Sequence, residues 1–157
     1  EIDGYKVYDE EINISELAEN CTTDFKNRFP QRNIQSDIEK DLFVIGDLLL
    51  LQIALNNLVD NALKYSSKES KITILAFRNI HNIILEIKDE GQGISNGEKK
   101  KVFEKFYRLG NEATKNAKGT GLGLYLTQKI ISTLKGNISI KDNVPNGSIF
   151  IIVLKEA

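Results

Sequence analysis

The sequence predicts an α+β fold, a two-layer sandwich in which a mixed sheet is covered on one face by helices. Two observations carry this prediction. Helical and extended patterns mix along the chain without strict alternation, and the longest helical pattern, at 47–65, is strongly apolar along one arc. A length of 157 residues suits one domain with a substantial core rather than two.

Composition narrows the function classes. The chain is 41% hydrophobic with mixed charge, and its formal net charge of -1 provides no general electrostatic footprint for nucleic acid or acidic lipid. One cysteine, Cys21, excludes an intramolecular disulfide and suits a reducing compartment. It reads as a small apolar residue on a helix, since no histidine lies near it in sequence. No apolar run approaches ~18 residues, so no membrane span is expected, and no signal peptide opens the chain. The sequence begins on charged residues without an initiator Met. It is therefore expected to be a piece of a larger parent, which leaves a membrane-anchored parent open.

The elements follow in order. Residues 1–12 read as a short extended lead-in, and 13–157 as the domain proper. Asn13 with Glu16 fits an N-cap and its capping-box partner, opening an amphipathic helix through about Phe29, before Pro30. Short strands are expected at Asn33–Ile38 and 42–45. Asp47 caps the apolar helix, which runs to about Tyr65. Two adjacent strands, Lys71–Asn79 and Asn82–Lys88, reverse at His81 and Asn82. Ser95 and Glu98 suggest a second capping box before a short helix through Phe106. Residues 109–118 are polar and carry little apolar content, the composition of a mobile loop. Residues 122–134 read as a helix with Gly136 as its C-cap, and two strands close the chain around a turn at 143–147.

The helix at 47–65 carries polar groups where a purely structural helix has no need of them. Leu51, Leu55, Leu58 and Ala62 form the apolar arc, extended by Val59 and Leu63. Asn57, Asn61 and Lys64 stand at i, i+4 and i+7, with Tyr65 beside them. A solvated face is the plain alternative. Asn, however, is a mediocre helix former, and a solvated face would more often use Glu, Lys or Gln. Two Asn one turn apart offer neutral oxygens for a hydrated divalent cation, with Lys64 near enough to meet phosphate.

Two glycine segments add to this. Asp89-Glu90-Gly91-Gln92-Gly93 follows a strand; its glycines allow positive φ and close approach to a flat ligand, and Asp89 can accept from an exocyclic amine. Taken alone, a bland turn explains it equally well. Lys118-Gly119-Thr120-Gly121-Leu122-Gly123-Leu124 leads into a helix whose free N–H groups and dipole suit a polyphosphate. It is neither a Walker loop, lacking Gly-Lys-Ser/Thr, nor a dinucleotide fingerprint, lacking a strand before it. Between them lies Val102-Phe103-Glu104-Lys105-Phe106-Tyr107-Arg108. Phe103 and Phe106 read as core, whereas the Arg108 guanidinium matches a phosphate bidentately.

Taken in order, these segments resemble the catalytic domain of bacterial sensor histidine kinases, within the wider Bergerat-fold ATPase group that includes gyrase, mismatch-repair proteins and the large heat-shock chaperone. Asn57 through Tyr65 is similar to the asparagine box, and Asp89 through Ile94 to the first glycine box. Val102 through Arg108 resembles the phenylalanine box, Lys118 through Leu124 the second glycine box, and Asn146-Gly147-Ser148-x-Phe150 a third. The resemblance implies a pocket for ATP between the long helix and the sheet. Asn61 would hold Mg²⁺, while Asn57, Lys64 and Tyr65 line the phosphate and ribose side. Asp89 would bind the adenine amine with Ser148 supporting it through water, beside Gly91, Gly93 and Ile94. Gly119, Thr120, Gly121, Leu122, Gly123 and Leu124 would wrap the phosphates. Tyr107 and Arg108 would bracket the nucleotide, Arg108 facing the γ-phosphate, and 109–118 would be a lid. Arg108, Lys64 and Asn57 are the candidate catalytic residues. Asn146 stands where a looser Gly pattern is common.

Hydrolysing members of the wider group resemble one another in a Glu where this chain has Asn57. An amide cannot deprotonate water at neutral pH, so Asn57 points to a site that holds ATP until another nucleophile arrives. The resemblance implies that this nucleophile is a histidine on a separate dimerisation and phosphoacceptor domain of the same protein, with a downstream response regulator as the next partner. His81, at a strand reversal and followed by Asn82, reads as a turn residue. A serine-directed kinase of the same superfamily and a nucleotide-binding module without turnover are the alternatives. The resemblance implies a cytoplasmic domain, the parent being free to sit in the inner membrane.

Overall fold

The computed structural model describes residues 2, 4–107 and 122–157. Its sheet has five strands, β2 (Asn33–Ile38), β4 (Lys71–Asn79), β5 (Asn82–Lys88), β6 (Asn137–Asp142) and β7 (Ser148–Lys155), in the order β2-β4-β5-β7-β6. β2 runs parallel to β4, and the other neighbours are antiparallel. A separate antiparallel ribbon joins β1 (Glu10–Asn13) to β3 (Phe43–Gly46). Residues set apart by sequence as a lead-in thus supply β1.

Strand periodicity decides which face the helices cover. Ile74 pairs with Ile87, and Ile87 with Phe150; Ala76, Leu85 and Ile152 form the next row. All six are buried. On the other face the same strands place Thr73 opposite Lys88 and Leu75 opposite Glu86. One face is therefore core and the other mixed, the alternation expected of an antiparallel sheet solvated on one side.

Among the described residues three helices lie on the core face: α1 (Ile14–Arg28), α2 (Leu48–Lys64) and α3 (Gly123–Thr133). α2 buries Leu50, Leu51, Ala54, Leu55, Leu58, Val59, Ala62 and Leu63. Each fully buried leucine contributes about 2 kcal/mol, against about 1 kcal/mol for an N-cap bond. Packing therefore holds the helix, and capping sets where it starts. The Asn13 side chain accepts from Glu16 N at 3.0 Å, and Asp47 Oδ1 from Leu50 N at 3.1 Å. At the far end of α2, Ser66 Oγ donates to Ala62 O at 2.6 Å and Arg32 Nη1 to Leu63 O at 3.0 Å, satisfying carbonyls the helix cannot pair internally.

Three local expectations are corrected. Residues after Ser95 form turns and a short 3-10 helix, Lys101–Phe103, rather than a helix through Phe106. Ser95 and Glu98 meet side chain to side chain at 3.3 Å instead of capping backbone amides. Phe106 is not core: it adopts φ 66° and is 63% exposed, because the chain reverses there. Phe103 alone fills the core, edge-on to Phe150 at 6.3 Å. At the end of α3 the left-handed residue is Lys135, at φ 64°, and not Gly136. Gly136 N closes the turn on Ile131 O at 2.8 Å. Glycine is needed at 136 because a Cβ would stand 2.7 Å from Leu154 Cδ2 and Val153 O.

Candidate functional site

A cleft opens between the C-terminal half of α2 and the ends of β5 and β7. Asn61, Tyr65, Asp89, Gln92, Gly93, Ile94, Ser148 and Phe150 line it. Six of these come from the sequence-predicted set. Gln92 and Phe150 do not, although Phe150 could have been assigned from its inward register on β7.

Asp89 sits at the base, 5% exposed. Its Oδ1 accepts from Gly91 N at 2.9 Å and Ser148 N at 3.3 Å. Oδ2 receives no hydrogen bond from a described residue. Burial pushes the carboxyl above the usual aspartate range, and the two amides only partly offset this. The structure thus keeps a buried carboxylate with one oxygen aligned by backbone and one acceptor available to the cleft.

The loop after β5 is held from two sides. Asn143 Nδ2 donates to Asp89 O at 2.8 Å, and Asn146 Nδ2 donates to Glu90 O at 2.9 Å and to Gly91 O at 3.2 Å. Gly147, at φ 106°, lies so close that a Cβ would stand 2.0 Å from Asp89 O. Asn146, an oddity by sequence pattern, is therefore a buttress. On the other side Gly91 abuts the end of α2: its Cβ would stand 2.2 Å from Tyr65 O. Close approach at Gly91 is thus to Tyr65 rather than to a ligand, whereas Gly93 does adopt positive φ, at 78°.

Along α2, Asn57, Asn61, Lys64 and Tyr65 are all half-buried. Asn57 Nδ2 reaches Gly123 O at 3.3 Å and Thr127 Oγ1 at 3.4 Å, tying α2 to the start of α3. The Lys64 ammonium lies 5.5 Å from the centre of the Tyr65 ring. Leu122 is the N-cap position of α3 and has no side-chain cap bond, and Leu124 packs against the core. Tyr107 donates its hydroxyl to Glu98 at 2.5 Å, a bond that raises the phenol's pKa. Arg108, Gly119, Thr120 and Gly121, together with the expected lid at 109–118, lie outside the described residues.

The other sequence candidates are structural. Cys21 is buried, its thiol donates to Asn56 Oδ1 at 3.3 Å, and burial pushes its pKa up to about 12. His81 is exposed at the β4–β5 reversal.

The cleft of this two-layer sandwich thus sets a buried strand-end aspartate beside a helix that carries half-buried Asn residues. Comparison with known proteins gives the family. Residues 46–157 match the family model described as histidine kinase-, DNA gyrase B-, and HSP90-like ATPase, and the chain belongs to that family. It is 36% identical over 144 residues to the sensor protein CiaH of Streptococcus pneumoniae, covering 86% of this chain and 32% of that protein. Over 108 residues it is 37% identical to the sensor protein SrrB of Staphylococcus aureus, covering 69% of this chain and 18% of that one. The chain thus spans about a third or less of the relatives it matches. Among solved structures, a mycobacterial sensor histidine kinase, MprB, superposes with a TM-score of 0.83 at 25% identity, covering 95% of this chain and 98% of that one. The catalytic domain of histidine kinase ThkA does so with a TM-score of 0.83 at 27% identity, again over 95% and 98% of the two chains. Within its family the chain is an ATP-binding catalytic domain of the sensor histidine kinase kind.

Proposed function

We propose that this domain binds Mg·ATP and delivers its γ-phosphoryl group to a histidine on a separate helical phosphoacceptor and dimerisation domain of the same protein. A downstream response regulator is the next recipient. The observation that carries the reading is Asp89: a buried carboxylate, one oxygen pinned by two amides, lining a cleft with Asn61, Tyr65 and Ile94. Such a group is costly to bury unless a donor answers it, and the adenine amine is that donor.

The remaining roles rest on the resemblance of the motif segments and, for the described residues, on their place around the cleft. Ser148, buried beside Asp89, supports the base through water. Tyr65, Gly93 and Ile94 wall the base and ribose, Gly91 seats the Asp89 loop against the end of α2, and Tyr107 closes the rim. Lys64 and Asn57 lie on the phosphate side, with Arg108 facing the γ-phosphate and Gly119, Thr120, Gly121, Leu122, Gly123 and Leu124 wrapping the chain of phosphates.

The described residues contain no cluster of three carboxylate, His or Cys groups able to cage a metal. A single amide oxygen from Asn61, supplemented by phosphate oxygens and water, suits Mg²⁺, which gives up its water reluctantly. When bound, that ion neutralises charge on the phosphates. As the acceptor nitrogen bonds to the γ-phosphorus, the bond from that phosphorus to the bridging oxygen breaks, and ADP leaves with the electron pair. Asn57 has no basic group with which to activate water, so the bound nucleotide is preserved for the acceptor.

Residues 1–12 are, on this reading, the lead-in from the acceptor domain, and anchoring of the parent in the inner membrane is compatible with it. No described helix is itself long and apolar enough to cross a membrane. The test is to mix this domain with a supplied acceptor domain and γ-labelled ATP. Acid-labile label on histidine supports the proposal; acid-stable label indicates a serine kinase, and no label a module without turnover.

A further inference from the structure

The geometry points to Arg32 as a positioning residue for the nucleotide cleft, acting through the end of α2 from outside the site. The inference rests on the proposed nucleotide-binding reading.

Arg32 lies in the connection between α1 and β2. Its Nη1 donates to Leu63 O at 3.0 Å, and its Nη2 donates to Ser66 Oγ and to Ser67 O, both at 2.9 Å. These acceptors bracket Tyr65 on both sides. Ser66 Oγ in turn donates to Ala62 O at 2.6 Å, so the guanidinium and one hydroxyl together satisfy consecutive carbonyls at the end of the helix. Arg32 Nε is buried and meets no acceptor among the described residues. A buried N–H without a partner is a cost. The side chain accepts it in a geometry that commits both terminal nitrogens to residues 63–67.

The position of that segment matters because of what it touches. The Tyr65 carbonyl packs directly on Gly91, with no room for even a Cβ between them. Gly91 N is one of the two donors that orient Asp89 Oδ1. Tyr65 and Asp89 line the same cleft. A continuous path therefore runs from the guanidinium through the 63–67 backbone, to the Tyr65–Gly91 contact, to the carboxylate. A planar fork with several donors at fixed angles defines such a turn in a way a single ammonium cannot. The positive charge also lies at the negative end of the helix dipole.

The experiment compares wild type, Arg32→Met, Arg32→Lys and Ile138→Val, a core variant that does not line the cleft. Mg·ADP is titrated by calorimetry at a temperature where all four are folded by circular dichroism. Arg32→Met is expected to weaken Mg·ADP binding about tenfold, equivalent to ~1.4 kcal/mol, with Arg32→Lys recovering part of the loss. Amide exchange at Tyr65 and Gly91 should rise in Arg32→Met and stay at the wild-type rate in Ile138→Val. Arg32→Met that melts earlier yet binds Mg·ADP like wild type would overturn the inference and leave Arg32 a structural cap. If wild type itself does not bind Mg·ADP, the nucleotide reading fails instead, and the amide-exchange arm still decides whether Arg32 orders the 63–67 segment.

Discussion

Gly91 and Tyr65 meet backbone to backbone: the Tyr65 carbonyl oxygen would stand 2.2 Å from a Cβ on residue 91. The end of α2 and the loop after β5 are thereby in direct contact, and the cleft lies between them and the start of β7. Gly91→Ala must push them apart, since backbone atoms on both sides cannot rotate away as a side chain would. A loss of about 1–3 kcal/mol is expected in urea melts, together with weaker Mg·ADP binding. Wild-type stability in this variant would contradict the contact.

Asp89→Asn separates function from stability. At neutral pH the buried carboxylate costs the free domain stability, because burial raises its pKa in the fold. The asparagine variant should therefore melt at the same temperature as wild type or above it. If the new side chain's carbonyl oxygen keeps the Gly91 and Ser148 amides, its NH₂ group faces the adenine amine, donor against donor. Nucleotide affinity should fall at least about tenfold, or ~1.4 kcal/mol. Calorimetric binding equal to wild type would remove Asp89 from the adenine site.

The same raised pKa gives a sign for pH. Free protein gains stability from Asp89 as pH falls through the raised value, since the fold then binds the extra proton. If Asp89 holds the adenine amine as proposed, nucleotide binding should decline over that same range, above the pH at which an exposed aspartate titrates. A binding curve flat down to about pH 4 would argue against it.

Asp47 behaves oppositely. Burial opposes ionisation there, yet the amides of Tyr8 and Leu50 and the Tyr5 hydroxyl outweigh it and lower the pKa. Its contribution is present above the unfolded value near ~3.9 and is lost as pH falls through the lower folded value. Acid unfolding of the wild type should therefore include a component below about pH 4 that Asp47→Asn lacks. That variant should also lose about 1–3 kcal/mol at neutral pH, read from thermal melts, because its NH₂ cannot accept from the Tyr5 hydroxyl and the Tyr8 amide as Oδ2 does.

On the proposed metal role of Asn61, Asn61→Asp adds a charge beside the phosphates while keeping the side chain's shape. Phosphotransfer with a supplied acceptor should drop at least about tenfold, or ~1.4 kcal/mol in the barrier, with a changed dependence on Mg²⁺ concentration. Unchanged transfer would count against Asn61 as the metal ligand.

What the sequence determined by itself is the order and type of most elements, because these rest on local periodicity; β1 and the turns after Ser95 were not legible in that way. The apolar arc of α2, the strand pair Lys71–Asn79 and Asn82–Lys88, and the caps Asn13 and Asp47 are all readable within a turn or two of chain. The order of the motif segments was legible for the same reason. Tertiary structure alone decided the contacts between segments distant in sequence. Gly91 serves the Tyr65 carbonyl, Asn143 and Asn146 buttress the Asp89 loop, and Arg32 holds the end of α2. Phe106 turns outward although its spacing matches a core position, and Lys135 takes the left-handed turn beside a glycine better suited to it, because crowding against Val153 and Leu154 claims Gly136 first. No local pattern records which backbone a loop will face, and the cleft is made of such encounters.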